Sequence, residues 1–219
     1  MASDSDRIID LYERNAHNYI ADRRGVGWNE SAWLDRFITL LPLRATILDI
    51  GCGSGEPIAR YLIDRKFTVE GVDSSPTLVS VCRERFPKQY WHVADMRTLE
   101  LRREFHGLLA WDSLFHLSHD DQRSMFPIFR MHAAAGAALM FTSGTSHGVA
   151  IGSYQGEPLY HASLAPEEYR ALLDANGFRV EAHVSEDPNC GRHTIWLAQA
   201  VPRGDSGARS AIQTSQAHF

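Results

Sequence analysis

The sequence predicts an α/β fold built on a mainly parallel sheet, and three observations predict it. Between residues 46 and 142, short apolar β-branched runs alternate with helical patterns, as successive strand–helix–strand crossovers require. Residues 47–57 read ILDIGCGSGEP, a buried strand that passes through an acidic residue into a three-glycine loop. The chain has 219 residues and 44% hydrophobic content, which suits one domain with one substantial core better than two.

Taken in order, the apolar runs predict strands at Thr46–Ile50, Phe67–Val72, Tyr90–Val93, Leu108–Trp111 and Ala137–Thr142, then at Arg179–Ser185 and His193–Gln199. Pro57 suits the first turn of a helix after the glycine loop, because its φ is fixed and its missing N–H is not needed there. Ser118 and Asp121 form a capping box for a helix running toward Ala133, which Pro127 is expected to kink or split. A later helix enters through Pro166, Glu167 and Glu168 and stops at Asn176-Gly177.

Three segments break the alternation. Residues 5–40 predict two amphipathic helices that cap one end of the sheet. Residues 143–163 form a Gly-rich, aromatic insertion, too long for a plain connection and expected to be a substrate loop. The domain is expected to span 1–200, and the polar stretch 201–219 is expected to be a disordered tail.

The net charge of −5, from 22 Lys+Arg against 27 Asp+Glu, leaves no basic run to track a phosphate backbone, so nucleic acid is not an expected partner. Cys52, Cys82 and Cys190 are odd in number and widely spaced, which suits a reducing cytoplasm. The first residues carry no basic and apolar leader pattern, and no stretch approaches the roughly 20 apolar residues of a membrane span. The run from His116 to Asp121 is explained by helix capping, so no metal is expected. A monomer and a homodimer remain equally open.

The glycine loop lets a ligand approach the backbone closely, since glycine has no Cβ and accepts φ > 0. Asp49 stands two residues before the first glycine, where a carboxylate repels a pyrophosphate and favours a ligand bearing sulfonium and ammonium groups. Glu56 replaces the last glycine of G-x-G-x-x-G. Both features disfavour a nicotinamide dinucleotide, although an NAD(P)-dependent oxidoreductase stays the alternative, beside a non-catalytic adenosylmethionine-binding protein.

ILDIGCGSG resembles the first motif of the class I S-adenosylmethionine-dependent methyltransferases, and the likeness extends over roughly residues 45–200. The resemblance implies a Rossmann-like three-layer sandwich, with a seven-stranded, mostly parallel sheet whose last strand is antiparallel. It implies S-adenosyl-L-methionine as cofactor, bound by Asp49, Gly51, Cys52, Gly53, Gly55, Asp73, Ser74, Asp95, Met96 and Trp111. Asp73, at the end of the second strand, would hold the ribose diol, because a carboxylate can accept two hydrogen bonds. Asp95, after the third strand, would accept from the adenine amino group, with Met96 against the ring.

GLLAWDSLFHL, residues 107–117, resembles the family's fourth strand and the loop beside the reactive methyl. His116 is the first candidate for a general base, since an ordinary imidazole titrates near neutral pH. Asp112, with Ser113, is the second catalytic or orienting candidate. WDSLF replaces the Asn/Asp-Pro-Pro-aromatic pattern of amide and adenine N-methyltransferases, which disfavours those substrates. The implied activity is methyl transfer to an O, N or S nucleophile of a small molecule, releasing S-adenosylhomocysteine. Tyr12, Tyr19, Trp28, His147, Tyr154, Tyr160 and His161 are the expected acceptor contacts, from the two segments able to close over it.

Overall fold

A computed structural model describes residues 5–25 and 29–202. The predicted tail from 203 onward and Trp28 lie outside the described residues. Among those described are helices α1 (Arg7–Arg14), α2 (Ala16–Gly25), α3 (Ser31–Thr39), α4 (Ile58–Asp64), α5 (Pro76–Arg85), α6 (His119–His132) and α7 (Pro166–Ala175). The strands are β1 (Thr46–Ile50), β2 (Thr68–Asp73), β3 (Tyr90–Val93), β4 (Phe105–Ala110), β5 (Ala133–Ser143), β6 (Gly148–Tyr154), β7 (Glu157–Ser163), β8 (Phe178–Asp187) and β9 (His193–Ala200).

Seven strands form one sheet in the order β3-β2-β1-β4-β5-β9-β8. The first five run parallel, and β9 lies antiparallel to both β5 and β8. The class and strand count follow the prediction, and β4, β5 and β8 are longer than their apolar runs suggested. β1 is central: Asp49 stands level with Gly71 of β2 and Leu109 of β4.

Strand alternation divides the core into two layers. Leu48 and Ile50 point to the face covered by α6 and α7, where Phe126, Phe129, Tyr169 and Trp196 pack. Ile47 and Leu109 point to the opposite face, covered by α3, α4 and α5 through Phe37, Leu62 and Val79. The parity of side chains along β1 and β4 therefore decides which of the following residues reach the end of the sheet.

Three expectations need correction. α3 is not part of a cap: Trp33, Leu34 and Phe37 are buried in the sheet layer, and the Trp33 indole donates to Asp187 at 2.7 Å. Only α1 and α2 remain above the strand ends. α6 is unbroken by Pro127, with Met125, Phe126 and Phe129 all buried against the sheet; that burial outweighs the lost backbone bond. The 143–163 insertion is not a loop but the end of β5 followed by a β6–β7 hairpin, closed at Gln155-Gly156 with φ of 50° and 81°. Two consecutive positive φ values are what a tight hairpin turn needs, and Gln-Gly can supply them as Asn-Gly does.

Candidate active site

The carboxyl ends of β1, β2, β3 and β4 open into a cavity of about 340 Å³, within the usual range of small-molecule pockets. Gly51, Gly53, Asp73, Ser74, Asp95, Met96, Asp112 and His116 line it from the sheet side, and Tyr12, Tyr19 and Arg23 from the helices above.

The glycine loop is shaped by close approach. Gly51 has φ +80°, and a Cβ there would meet Ser113 Cβ at 2.4 Å. Gly53 has φ +53°, and its Cβ would meet the Tyr19 hydroxyl at 2.7 Å. Gly55 serves a different purpose from the one expected: its bare Cα packs on Phe86, at 2.7 Å from a built Cβ, and it does not line the cavity. Cys52 is likewise buried behind the wall, beside Gly71 and Trp91.

Asp73 ends β2 and ties the loop together. Its Oδ2 accepts from the Gly53 N–H at 2.8 Å and its Oδ1 from Ser75 N–H at 2.9 Å. Each oxygen keeps a lone pair for a ligand, and burial pushes this carboxyl above the usual range against those two bonds. Asp95 caps the short 3-10 turn Met96–Thr98 and is clasped by Arg97, whose Nη2 lies 2.7 Å from Oδ2. Hydrogen bonds and charge from Arg97 hold its pKa low in spite of burial.

Two predicted cofactor contacts are displaced by strand parity. Asp49 shares the side of Ile47, so its carboxyl is buried behind the cavity wall. Burial, with Asp73 nearby, pushes its pKa up to about 7. Trp111 shares the side of Leu109 and is core, with its ring 5.3 Å from that of His193.

His116 does face the cavity, and its surroundings set its tautomer. Nδ1 lies 3.0 Å from the Tyr160 carbonyl, which only accepts, so Nδ1 carries the proton. Nε2 then accepts from the Tyr12 hydroxyl at 3.0 Å. Burial pushes the His116 pKa down to about 4, which removes the near-neutral basicity expected of it. His161 stacks on His116 with ring centres 4.9 Å apart.

Asp112 also lines the cavity, at φ +49°, with a partner that the sequence offered no signal for. His193 Nε2 lies 2.9 Å from Asp112 Oδ1, and its Nδ1 lies 2.7 Å from the Cys190 carbonyl. Both partners accept, so both ring nitrogens donate and the ring is cationic; Asp112 pushes its pKa up to about 9. Because the folded value is raised, this pair stabilises the fold fully below about pH 6.5, and the contribution is lost as pH rises through 9. Thermal unfolding should show a fall of roughly 5 °C between pH 6.5 and 9.5. His193→Gln should flatten that slope, and an unchanged slope in the variant would remove the pair from the account.

The predicted acceptor contacts divide. Tyr12, Tyr19 and His161 line the cavity. Tyr160 contributes its carbonyl, and Tyr154 works from the hairpin, stacking on Tyr12 at 5.9 Å and donating to Asp22 at 3.0 Å. Arg14 and Asn15 reach Glu157 at 2.7 and 3.1 Å, so the helices above the site are fastened to the hairpin. His147 lies in a second, more open cavity of about 540 Å³, between the end of β5 and the hairpin. Its ring stacks on His119, whose Nε2 lies 3.1 Å from the carbonyls of Gly148 and Ser163. Phe115 and His161 line both cavities, and the second has no Asp, Glu, Lys or Arg in its wall among the described residues.

Residues 47–136, from β1 to the start of β5, match the family of the methyltransferase domain. Over this same span lie the glycine loop and the strand-end carboxylates. The chain is similar to that family over these 90 of its 219 residues. A methyltransferase relative from Streptomyces fradiae, a dTDP-3-amino-3,6-dideoxy-alpha-D-glucopyranose N,N-dimethyltransferase, is 36% identical over 78 residues. That match spans 35% of this chain but only 30% of the relative. Among solved methyltransferases, the adenosylmethionine-bound amino pentose methyltransferase of Micromonospora echinaspora covers 84% of this chain and 96% of its own, with TM-score 0.66 and 21% identity. The 1,6-didemethyltoxoflavin-N1-methyltransferase of Burkholderia thailandensis covers 92% of both chains, with TM-score 0.71 and 15% identity. Both share this fold.

Proposed function

We propose that the protein transfers a methyl group from S-adenosyl-L-methionine to a small-molecule acceptor, releasing S-adenosylhomocysteine. The observation that carries this reading is the single cavity in which Gly51 and Gly53, Asp73, and Asp95 with Met96 meet, each at the end of a successive strand. A Cβ at either glycine would clash with Ser113 or Tyr19 in the cavity wall, and the carboxylates suit a nucleoside that carries no phosphate.

Bound adenosylmethionine supplies an electrophilic methyl on a positive sulfur. The chain supplies alignment and exclusion of water: Asp73 takes the ribose hydroxyls, Asp95 and Met96 the adenine, and α1 and α2 close the site. His116, neutral and with both ring nitrogens engaged by the Tyr12 hydroxyl and the Tyr160 carbonyl, shapes the cavity wall and is too weakly basic to strip a proton from a hydroxyl. That favours a nucleophile that attacks well before losing a proton, a neutral amine, which releases its extra proton to solvent after transfer. The amino-sugar and amino-pentose activities named for the relatives favour the same class. The second cavity, which shares Phe115 and His161 in its wall and has no Asp, Glu, Lys or Arg among its described lining residues, offers a place for the rest of a neutral acceptor.

Among the described residues no helix is long and apolar enough to cross a membrane. All three cysteines are free and buried, which supports a reducing, cytoplasmic setting. The test is transfer of label from methyl-labelled adenosylmethionine to a panel of small amines and their hydroxyl and thiol counterparts. Label should enter amines first. Tight cofactor binding with no labelled acceptor would favour a non-catalytic binding protein.

A further inference from the structure

His161 is an imidazole in the wall shared by the two cavities, and neither of its nitrogens is claimed. It stands on β7, level with Ala150 of β6, and is half-buried. Its ring is held from two sides, stacked on His116 with centres 4.9 Å apart and set edge-on to Phe115 at 5.1 Å. Those contacts fix the plane of the ring and use none of its hydrogen-bonding capacity. Among the described residues, neither Nδ1 nor Nε2 has a hydrogen-bond partner. Gly152 of β6 keeps one edge clear: a Cβ there would stand in contact with the ring, 3.7 Å from Cε1 and 3.9 Å from Nδ1.

The other imidazoles lining the main cavity are committed. His116 gives Nδ1 to the Tyr160 carbonyl and takes the Tyr12 hydroxyl on Nε2. His193 donates from both nitrogens, to Asp112 and to the Cys190 carbonyl, and Asp112 faces that cation with both oxygens, at 2.9 and 3.2 Å. Burial holds the His161 pKa below its ordinary value against the pull of Asp112, so the ring is neutral and one nitrogen has a lone pair to offer. An acceptor seated in the second cavity reaches a cofactor in the first past this ring.

We propose that His161 faces the reacting methyl and accepts a hydrogen bond from the acceptor's N–H, which holds the nitrogen's lone pair in line with the carbon–sulfur bond. The nitrogen bonds the methyl carbon as the carbon–sulfur bond breaks, the electron pair of that bond returns to sulfur, and the extra proton on nitrogen leaves to solvent. The imidazole orients and takes no proton. The proposal rests on the reading of the protein as an adenosylmethionine-dependent amine methyltransferase. It gives the contact with the acceptor nitrogen to the hairpin rather than to His116.

Sinefungin tests this placement without the natural acceptor. It is the cofactor with an amine-bearing carbon in place of the methyl-bearing sulfur, so its N–H groups stand where the methyl would be. S-adenosylhomocysteine is the comparison, with no group at that position. In calorimetric titration, His161→Phe should weaken sinefungin about 10-fold or more and leave adenosylhomocysteine within about threefold. Phenylalanine keeps a ring against His116 and Phe115, and unchanged adenosylhomocysteine binding shows that the variant folds. His161→Gln, which restores an acceptor, should fall between. With the amine most labelled by the wild type, His161→Phe should lower kcat about 30-fold or more. Equal weakening of the two ligands, no weakening of sinefungin, or an unchanged kcat would overturn the proposal and leave the cofactor reading standing. Wild-type protein that binds neither ligand would sink both.

Discussion

Gly51→Ala should abolish cofactor binding and lower stability at once. The backbone at Gly51 has φ +80°, a left-handed conformation that costs an alanine about 1–2 kcal/mol. The added Cβ would stand 2.4 Å from Ser113 Cβ. Ser113 cannot easily retreat, because its hydroxyl donates to the Ile50 carbonyl at 2.8 Å and its side chain is buried. Overpacking of this kind costs about 1–3 kcal/mol, so a total of roughly 2–5 kcal/mol is expected in unfolding measurements. Adenosylhomocysteine should bind at least about 100-fold more weakly, since the loop must shift toward the cavity to relieve the clash. A variant that binds like the wild type would mean that the loop does not lie against the ligand.

Asp73→Asn should cost about 100-fold in adenosylhomocysteine affinity with little loss of fold. The amide keeps one oxygen, so either the Gly53 or the Ser75 N–H retains an acceptor, but the charge and one acceptor are lost. Hydrogen bonds to a charged group are worth about 1.5–3 kcal/mol each. 2′-Deoxyadenosylhomocysteine supplies the control. If Asp73 holds the ribose, wild-type protein discriminates strongly against the deoxy ligand and Asp73→Asn discriminates little. Equal discrimination in both would leave Asp73 as a loop brace only.

The frame of the site was legible in the sequence because each part is local. A strand that ends in glycines, and an acidic residue at the end of the next strand, can be read within a few positions. Asp73, Asp95 and Met96 all face the cavity as expected. Parity was the piece that local reading lost. Asp49 and Trp111 stand beside lining residues in sequence, yet they fall on the α3–α4–α5 side of the sheet and are buried. The hairpin was missed for a related reason: the β6 side chains are mostly exposed and those of β7 mostly half-buried, so no apolar alternation advertises them. His193 and Arg23 gave no signal because their value is tertiary, one pairing with a residue 81 positions away and the other lying across the cavity on a separate helix. His116 was found by position, but its basicity depends on burial and on the Tyr160 carbonyl, which no sequence window contains.

The structure of the protein with S-adenosylhomocysteine bound tests the central claim most directly. The ligand should lie in the cavity at the ends of β1 to β4, with its ribose hydroxyls on Asp73, adenine beside Asp95 and Met96, and sulfur turned toward His116 and the Phe115–His161 wall shared with the second cavity. Adenosylhomocysteine seated elsewhere, or a ribose that makes no contact with Asp73, would contradict the account.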